Sequence, residues 1–598
     1  MTEKKPAIFS HRSLTLLILY LIPILGVCGF VSFFSVNVPR FDQWILPYWF
    51  EKFSTGDLTL KNLFAQHNSH RLFFPKLIFI GLSFASNWNI KWELYFNIFI
   101  AILTFLALHY LSQRTAQKLT QTSLHLANLS SSILLFSWVQ HENWLWGFQI
   151  AIFLINLCVI LSCLVLSTQS FQPQTRLTIA AFLCGIASFS SAQGLLSWLG
   201  MIPTVWTVEG SYKQKKHRLL VWIFLFIFSS LIYSINYRQE TDTVPTVSDN
   251  KLFATIHFFL NLIAVPFLDS YDWNWLLGGM IILIFSILIF SVIPFNHKLD
   301  FNQNLSPWIS ISLFSLLCSL LIAVGRSGLG ADYAILASRY TTHTILLPIA
   351  IIQLSQRIFL NNSNHSIIVS RDNKLLIFGF LTGILIGLNL VSSANSAFYV
   401  QSRLPLIQGG KTCFHLINYL EQSAFLKTNP QSCLLHIHSA SWVQVIWDSA
   451  EHLKRLKFRE FAQNVAFIYD PKQNYGEMTY PLDSDQILSS STAKSVKLEG
   501  WIQQSPTSKP SNIILFSLAQ KQSFFANAYA LESTSQPLNS NPSSSEHRLK
   551  WQVELSADVL PFGNSIIHAW IYDPIDNQFL KLKNQVSITR FYSTPSEQ

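Results

Sequence analysis

Long apolar runs, broken by short polar and mostly basic stretches, fill the chain as far as about residue 390. They fall at 14–34, 93–111, 123–139, 148–167, 177–191, 193–207, 219–236, 275–294, 306–324, 341–357 and 375–392. A helix needs about 20 apolar residues to cross a hydrocarbon core of ~30 Å, so this pattern predicts a polytopic α-helical membrane protein with about eleven transmembrane helices. Two further apolar segments, 72–86 and 252–268, are short for a crossing and are expected to be interfacial or re-entrant. Lys4, Lys5 and Arg12 precede the first run, which is longer than a signal-peptide core and lacks a small-x-small cleavage site. That predicts a signal anchor with a cytoplasmic N-terminus. Arg114, Lys118, Arg176, the Lys213–Arg218 cluster, His297, Lys298 and the stretch Arg357 to Lys374 then fall in cytoplasmic loops. An odd number of crossings puts the C-terminal part on the opposite, periplasmic side.

The first outer loop, 35–92, holds Trp44, Tyr48, Trp49, Phe50, Phe53, Leu58, Leu60, Leu63 and Phe64 among polar residues. This predicts helices lying in the membrane interface, apolar side down. From about 395 the pattern becomes that of a globular protein. A helix is expected over 411–427. Period-2 runs follow at Leu434–His438, Trp442–Trp447, Val465–Tyr469, Val496–Ile502, Ile513–Leu518, Phe524–Ala530, Leu549–Leu555, Ile566–Tyr572 and Phe579–Lys583. Short alternating strands at this spacing predict a sandwich-like, mostly β domain. The expected division is a membrane domain at 1–394, an α/β connecting region at 395–493 and the β domain at 494–598, with a flexible Ser/Asn/Pro-rich loop at 533–545.

Composition narrows the classes. Only 12% of residues are charged, while Phe numbers 48 and Trp 18. The net charge of +10 does not point to nucleic acid, because the basic residues sit in short loops between apolar runs, where they anchor cytoplasmic ends. Five cysteines lie in apolar runs; Cys413 and Cys433 lie in the globular part and could pair in an oxidising compartment. No phosphate-binding loop and no internal repeat are present. Trp501, Trp551 and Trp570 are expected to fill the β core, with sugar stacking as the alternative.

Four polar clusters fall on the expected outer side: Phe41-Asp42-Gln43-Trp44; His67-Asn68-Ser69-His70-Arg71; His141-Glu142-Asn143-Trp144-Leu145-Trp146-Gly147-Phe148-Gln149; and a run from Arg326 through Asp332 to Ser338-Arg339-Tyr340-Thr341-Thr342. The elements Asp-x-Trp, Asn-x-His-Arg, Glu-Asn-x-x-Trp-Gly-Phe-Gln and Ser-Arg-Tyr-Thr resemble those of uncharacterised bacterial multispan proteins placed near the GT-C superfamily of membrane glycosyltransferases. The resemblance covers about 14–392 and leaves the C-terminal domain aside.

That resemblance implies a cell-envelope enzyme of the bacterial inner membrane. It would move a sugar from a polyprenyl phosphate or diphosphate to a glycan, lipid or protein acceptor, with inversion. Attack by a hydroxyl needs a base, and a phosphate leaving group needs cations rather than a general acid. Asp42 matches the acid of the first outer loop and is the candidate base. Gln43 stands where the superfamily often has a second acid, which speaks against metal assistance. His70 and Glu142 are candidates to position the acceptor or assist the base. Arg71, Arg326 and Arg339 with Tyr340 are candidates for the donor phosphate, and Trp44, Asn68, Asn143 and Gln149 for contacts to substrate. No cofactor is expected; a divalent ion on His67, His70, His141 and Glu142 is a weaker alternative, since no strong ligand spacing supports it. Membrane lipids and the lipid-linked sugar are the expected partners. A transporter of lipid-linked glycan and a non-catalytic assembly protein remain as other classes. The apolar middles of the spans speak against the transporter.

Overall fold

The computed structural model describes residues 11–116, 119–238, 250–292, 303–360, 371–426, 432–439, 442–479, 487–488, 495–503, 512–531 and 548–590. The loop expected at 533–545, and Lys4, Lys5, Lys118, His297 and Lys298, lie outside them. The chain divides into two compact units, each discontinuous in sequence: 1–35, 58–82 and 91–400 form the first, and 36–57, 83–90 and 401–598 the second.

The first unit is helical. Among the described residues seven helices are long and apolar enough to cross a membrane: Thr15–Phe34, Ile90–Arg114, Gly147–Ser167, Tyr212–Ser234, Asn274–Val292, Ser306–Leu329 and Asn373–His415. Phe224, Leu231, Met280 and Phe290 stand exposed on them, a surface suited to lipid rather than water. The protein is thus membrane-embedded. The other four expected crossings are shorter. Gln121–Leu135 and Pro173–Ser188 are helices of 15 and 16 residues. The 193–207 run is broken into Ala192–Leu195, Leu196–Gly200 and Ile202–Thr207, and the 341–357 run into Thr341–Thr344 and Leu346–Phe359. Close packing accounts for the first break. A Cβ on Gly194 would lie 1.7 Å from the Ala187 carbonyl oxygen, and one on Gly200 2.8 Å from Phe314 Cβ. Backbone this irregular is tolerated in an apolar setting only where protein surrounds it.

The span interiors are also less apolar than the sequence average suggests. Asn97, Asn128, Asn156, Gln353, Gln356 and Arg357 are all buried. Arg357 donates to Thr115 Oγ1 (2.7 Å), the Ser112 carbonyl (2.9 Å) and Gln353 Oε1 (2.7 Å), under the ring of Trp308. Gln353 likewise meets Ser112 Oγ at 2.9 Å and donates to Ser131 Oγ at 3.2 Å, so these groups act as glue between helices.

Among the described residues the second unit is built on one ten-stranded sheet curled as a half-barrel, where a sandwich was expected. Eight strands follow in the order Ala466–Ile468, Gln578–Lys581, Gly563–Asp573, Ile513–Leu518, Ala526–Leu531, Arg548–Ser556, Ser495–Gln503 and Gly476–Thr479. Val586–Arg590 pairs with Gly563–Asp573, and Ile487–Leu488 with Val586–Arg590. Alternation sets the buried face: Leu549, Trp551, Val553 and Leu555 point into the core while Arg548, Lys550, Gln552 and Glu554 face out. Trp551 and Trp570 are core residues; Trp501 is half-buried beneath the Arg548 guanidinium.

Two stretches read as strands take other forms. Cys433–His436 is a 3-10 turn and Gln444–Leu456 an amphipathic helix burying Ile446, Ala450 and Leu453. The aromatic residues of the 36–57 segment divide: Tyr48 and Phe53 are exposed, while two others are not. Trp44 and Phe50 are buried in the second unit: Ser449 donates to the Trp44 carbonyl, and Phe50 meets Trp88 edge-on at 5.3 Å. Glu51 is bound by His452 and Arg455 of the amphipathic helix, and the hydrogen bond from Arg455 first of all holds its carboxyl down to about 2. Cys413 and Cys433 form a disulfide, fully buried.

Candidate functional site

In the first unit, two of the four polar clusters interlock, although about 200 residues separate them in the chain. Ser338–Tyr340 is a 3-10 turn ahead of Thr341–Thr344, and His141–Leu145 a short helix ahead of the turn Gly147–Gln149. The Arg339 N–H donates to Glu142 Oε2 at 2.9 Å, and Arg339 Nη1 stands 3.3 Å from both carboxylate oxygens. The Glu142 N–H in turn donates to Ser338 Oγ at 3.1 Å. Asn143 Nδ2 donates to the Arg339 carbonyl at 2.7 Å and to Thr342 Oγ1, whose hydroxyl donates to Gln140 Oε1 at 2.6 Å. Asn156 continues the lattice, donating to the Thr342 carbonyl (2.7 Å) and accepting from His343 Nδ1 (2.8 Å). Asparagine amides thus satisfy the backbone that the broken helix leaves unpaired.

The ion pair is neither buried away nor fully wet: the Arg339 and Glu142 side chains are 24% and 22% exposed. Arg339 Nη2 donates to the Tyr333 hydroxyl, and its guanidinium sits 5.6 Å from the Tyr333 ring and 5.0 Å from that of Tyr340. Burial works against its charge, but Glu142 and the two tyrosines more than offset this and raise its pKa above the usual arginine value. The result is a fixed, partly exposed cation on an aromatic bed, of the kind that receives an oxyanion. Gln149 is buried and follows Phe148, whose ring stacks on Phe79. Arg326 ends the helix Ser306–Arg326, half-buried.

The second cluster touches the third through one ring contact, His67 against Phe148 at 5.4 Å. Its other members are occupied in holding backbone. Asn68 sits at φ 47° in the two-residue turn between Gln66–His67 and His70–Arg71, a conformation asparagine tolerates well. His70 Nδ1 meets Ser191 Oγ at 3.1 Å and accepts the Ala192 N–H at 3.4 Å. Arg71, 3% exposed, donates to the carbonyls of Phe64 (2.7 Å), Tyr233 (2.6 Å) and Ile235. A guanidinium so engaged has little left for a phosphate.

Asp42 belongs to the second unit. It lies in the 3-10 turn Phe41–Ile45, half-buried. Phe41 before it takes φ 47°, a left-handed setting that costs a bulky residue energy and marks a constrained site. The Phe41 N–H donates to the Ile437 carbonyl at 2.9 Å, and Trp44 Nε1 to the same oxygen at 3.1 Å. Trp44 is 1% exposed, so it serves the turn rather than a ligand. Gln43 Oε1 accepts the Arg40 N–H at 3.1 Å. His438, which no sequence signal marked, follows Ile437. Burial pushes its imidazole down to about 4, and the Asp42 charge works the other way.

Among the described residues no three His, Cys, Asp or Glu side chains gather to hold a metal ion. Sequence reasoning also passed over Ser338, Tyr333, Gln140, Asn156 and His343. Ser338 lay inside a quoted motif, while the others carry no local signal. Compared with known proteins, the chain matches no family model, no curated protein and no solved structure.

Proposed function

We propose that the protein is an inverting glycosyltransferase of the cell envelope, using a sugar carried on a polyprenyl phosphate or diphosphate. The observation that carries this reading is the Glu142–Arg339 interlock: two distant motif segments converge on one half-open, charge-fixed arginine. In the reaction, an acceptor hydroxyl attacks the anomeric carbon, the new C–O bond forms as the bond to the phosphate oxygen breaks, and configuration inverts. Asp42 takes the hydroxyl proton. Arg339, oriented by Glu142 and flanked by Tyr333 and Tyr340, stabilises the departing phosphate. Arg326 remains a second phosphate ligand; Arg71 is set aside because carbonyls consume its donors. The basic loops support a cytoplasmic N-terminus, and the Cys413–Cys433 disulfide supports an oxidising, periplasmic setting for the second unit.

The test is an envelope-glycan mass profile of the source cells: wild type, deletion, Asp42→Asn and Arg339→Gln, at matched protein level. All three altered strains are expected to lose one sugar mass and accumulate the acceptor lacking it. A deletion phenotype with both point variants silent overturns the assignment.

A further inference from the structure

We infer that the segment Cys433–His438, stapled by the Cys413–Cys433 disulfide and seated on Gly410, positions Asp42 through the carbonyl of Ile437. The inference rests on Asp42 being the base of the proposed reaction. The two donors on this carbonyl, Phe41 N–H and Trp44 Nε1, stand on either side of Asp42 in sequence. One acceptor therefore fixes both ends of the short turn that carries the carboxylate, and Phe41 keeps its left-handed backbone because that oxygen holds it.

The carbonyl is itself held from behind. Cys433 is bonded to Cys413, and its N–H donates to Asn527 Oδ1 of the sheet at 3.0 Å. The Ile437 and His438 N–H groups both return to the Leu434 carbonyl, at 3.1 and 3.0 Å. On the helix that carries Cys413, Gly410 lets the backbone approach. A Cβ there would meet Ile437 Cγ2 at 2.6 Å and the Cys433 carbonyl at 3.1 Å. Phe414, next to Cys413, packs edge-on against Trp44 with ring centroids 4.6 Å apart. Every link is a direct contact, and the chain of links runs from the disulfide to the turn.

His438 belongs to the same device. The Phe41–Ile437 hydrogen bond joins the two turns at the residues preceding Asp42 and His438, and the Asp42 charge acts on the imidazole. The Ser439 N–H donates to His438 Nδ1 at 2.8 Å, so the ring proton sits on Nε2. With Nδ1 occupied by that N–H, His438 is a positioning residue of this segment and not a competing base.

The test uses the full chain purified in detergent and the same chain in cells. Hydrogen exchange is followed on the peptide containing Phe41–Ile45, with the strand Ile513–Leu518 as the reference for a folded unit. The variants are Cys413→Ser/Cys433→Ser, Gly410→Ala and Trp44→Phe, the last removing one donor and leaving a smaller aromatic ring in its place. Each is expected to speed exchange at Phe41 about five- to tenfold, to leave the reference strand unchanged, and to lower the sugar product as Asp42→Asn does. If the double serine variant fails to fold, Gly410→Ala and Trp44→Phe decide. Wild-type exchange at Phe41 and a wild-type product level in both overturn the inference. If Asp42→Asn abolishes the product while those two variants leave it intact, only the inference falls. If Asp42→Asn itself is silent, the base assignment falls and takes the inference with it.

Discussion

The two units hold their polar motifs in opposite ways. In the helical unit, Glu142 and Arg339 bind each other side chain to side chain, and asparagines tie down the backbone around them. In the second unit, the Asp42 turn is held by a backbone carbonyl, and that carbonyl by a disulfide and a glycine contact. A membrane interior has no water to satisfy broken helix ends, so side-chain amides must do it. A half-barrel has spare carbonyls at its loops and can use those instead. What holds the motif is consequently a set of side chains in the first case and a backbone carbonyl in the second.

The sharpest way to break the comparison is to damage each unit separately. Gly194→Ala forces a Cβ to 1.7 Å from the Ala187 carbonyl oxygen, and Gly500→Ala forces one to 2.1 Å from that of Glu477 and 2.5 Å from the Trp551 ring. Each is expected to cost about 3 kcal/mol or more. Limited proteolysis during heating should show the first variant opening the helical unit early and the second opening the sheet early. One shared transition, lowered equally by both, would mean that the units do not unfold separately.

A smaller effect concerns the ion pair. Glu142→Gln leaves the Arg339 guanidinium half-buried without its counter-charge, at about 2 kcal/mol. Adding Arg339→Gln should recover part of that, giving a coupling of about 1 kcal/mol in a double-mutant cycle read from detergent-state melting. Additive losses would show that the two side chains do not act as a pair.

The smallest effect is a pH dependence in the second unit. The folded-state pKa of Glu51 is depressed, to about 2, so its contact with His452 and Arg455 adds stability above the unfolded carboxyl value. That contribution is lost as pH falls from about 4 toward 2. Glu51→Gln should flatten this part of the stability–pH curve and lower stability most near neutral pH, where the contribution is complete. An unchanged acid limb would remove Glu51 as its source.

The sequence pattern placed the seven long apolar helices well, because runs of that length admit few other structures. It drew as single runs some segments that are broken, as at Gly194 and Gly200: hydropathy averages over a window and carries no trace of a close approach. Most strands beyond 494 were legible from alternation. Gln444–Leu456 was misread because Trp442–Trp447 alternates over six residues, while the helical period of Ile446, Ala450 and Leu453 shows only over a longer window. Glu142 and Arg339 could be singled out from their motifs. Their partnership could not, and neither could the roles of Ile437 and His438, since a backbone carbonyl leaves no mark in a side-chain alphabet.

The discontinuity of the second unit also sets a timetable for its birth. Trp44 and the Ile437 carbonyl it binds are 393 residues apart in the chain. At a synthesis rate of ~5–20 residues per second, roughly 20–80 s pass between their appearances. Throughout that interval Trp44, Phe50 and Trp88 have left the ribosome without the sheet and helices that will bury them. The nascent chain must carry an orphaned aromatic hook, which makes these early segments natural clients for a holding chaperone. It also means that residues 401–598, expressed alone, would begin life with an uncovered socket where that hook belongs.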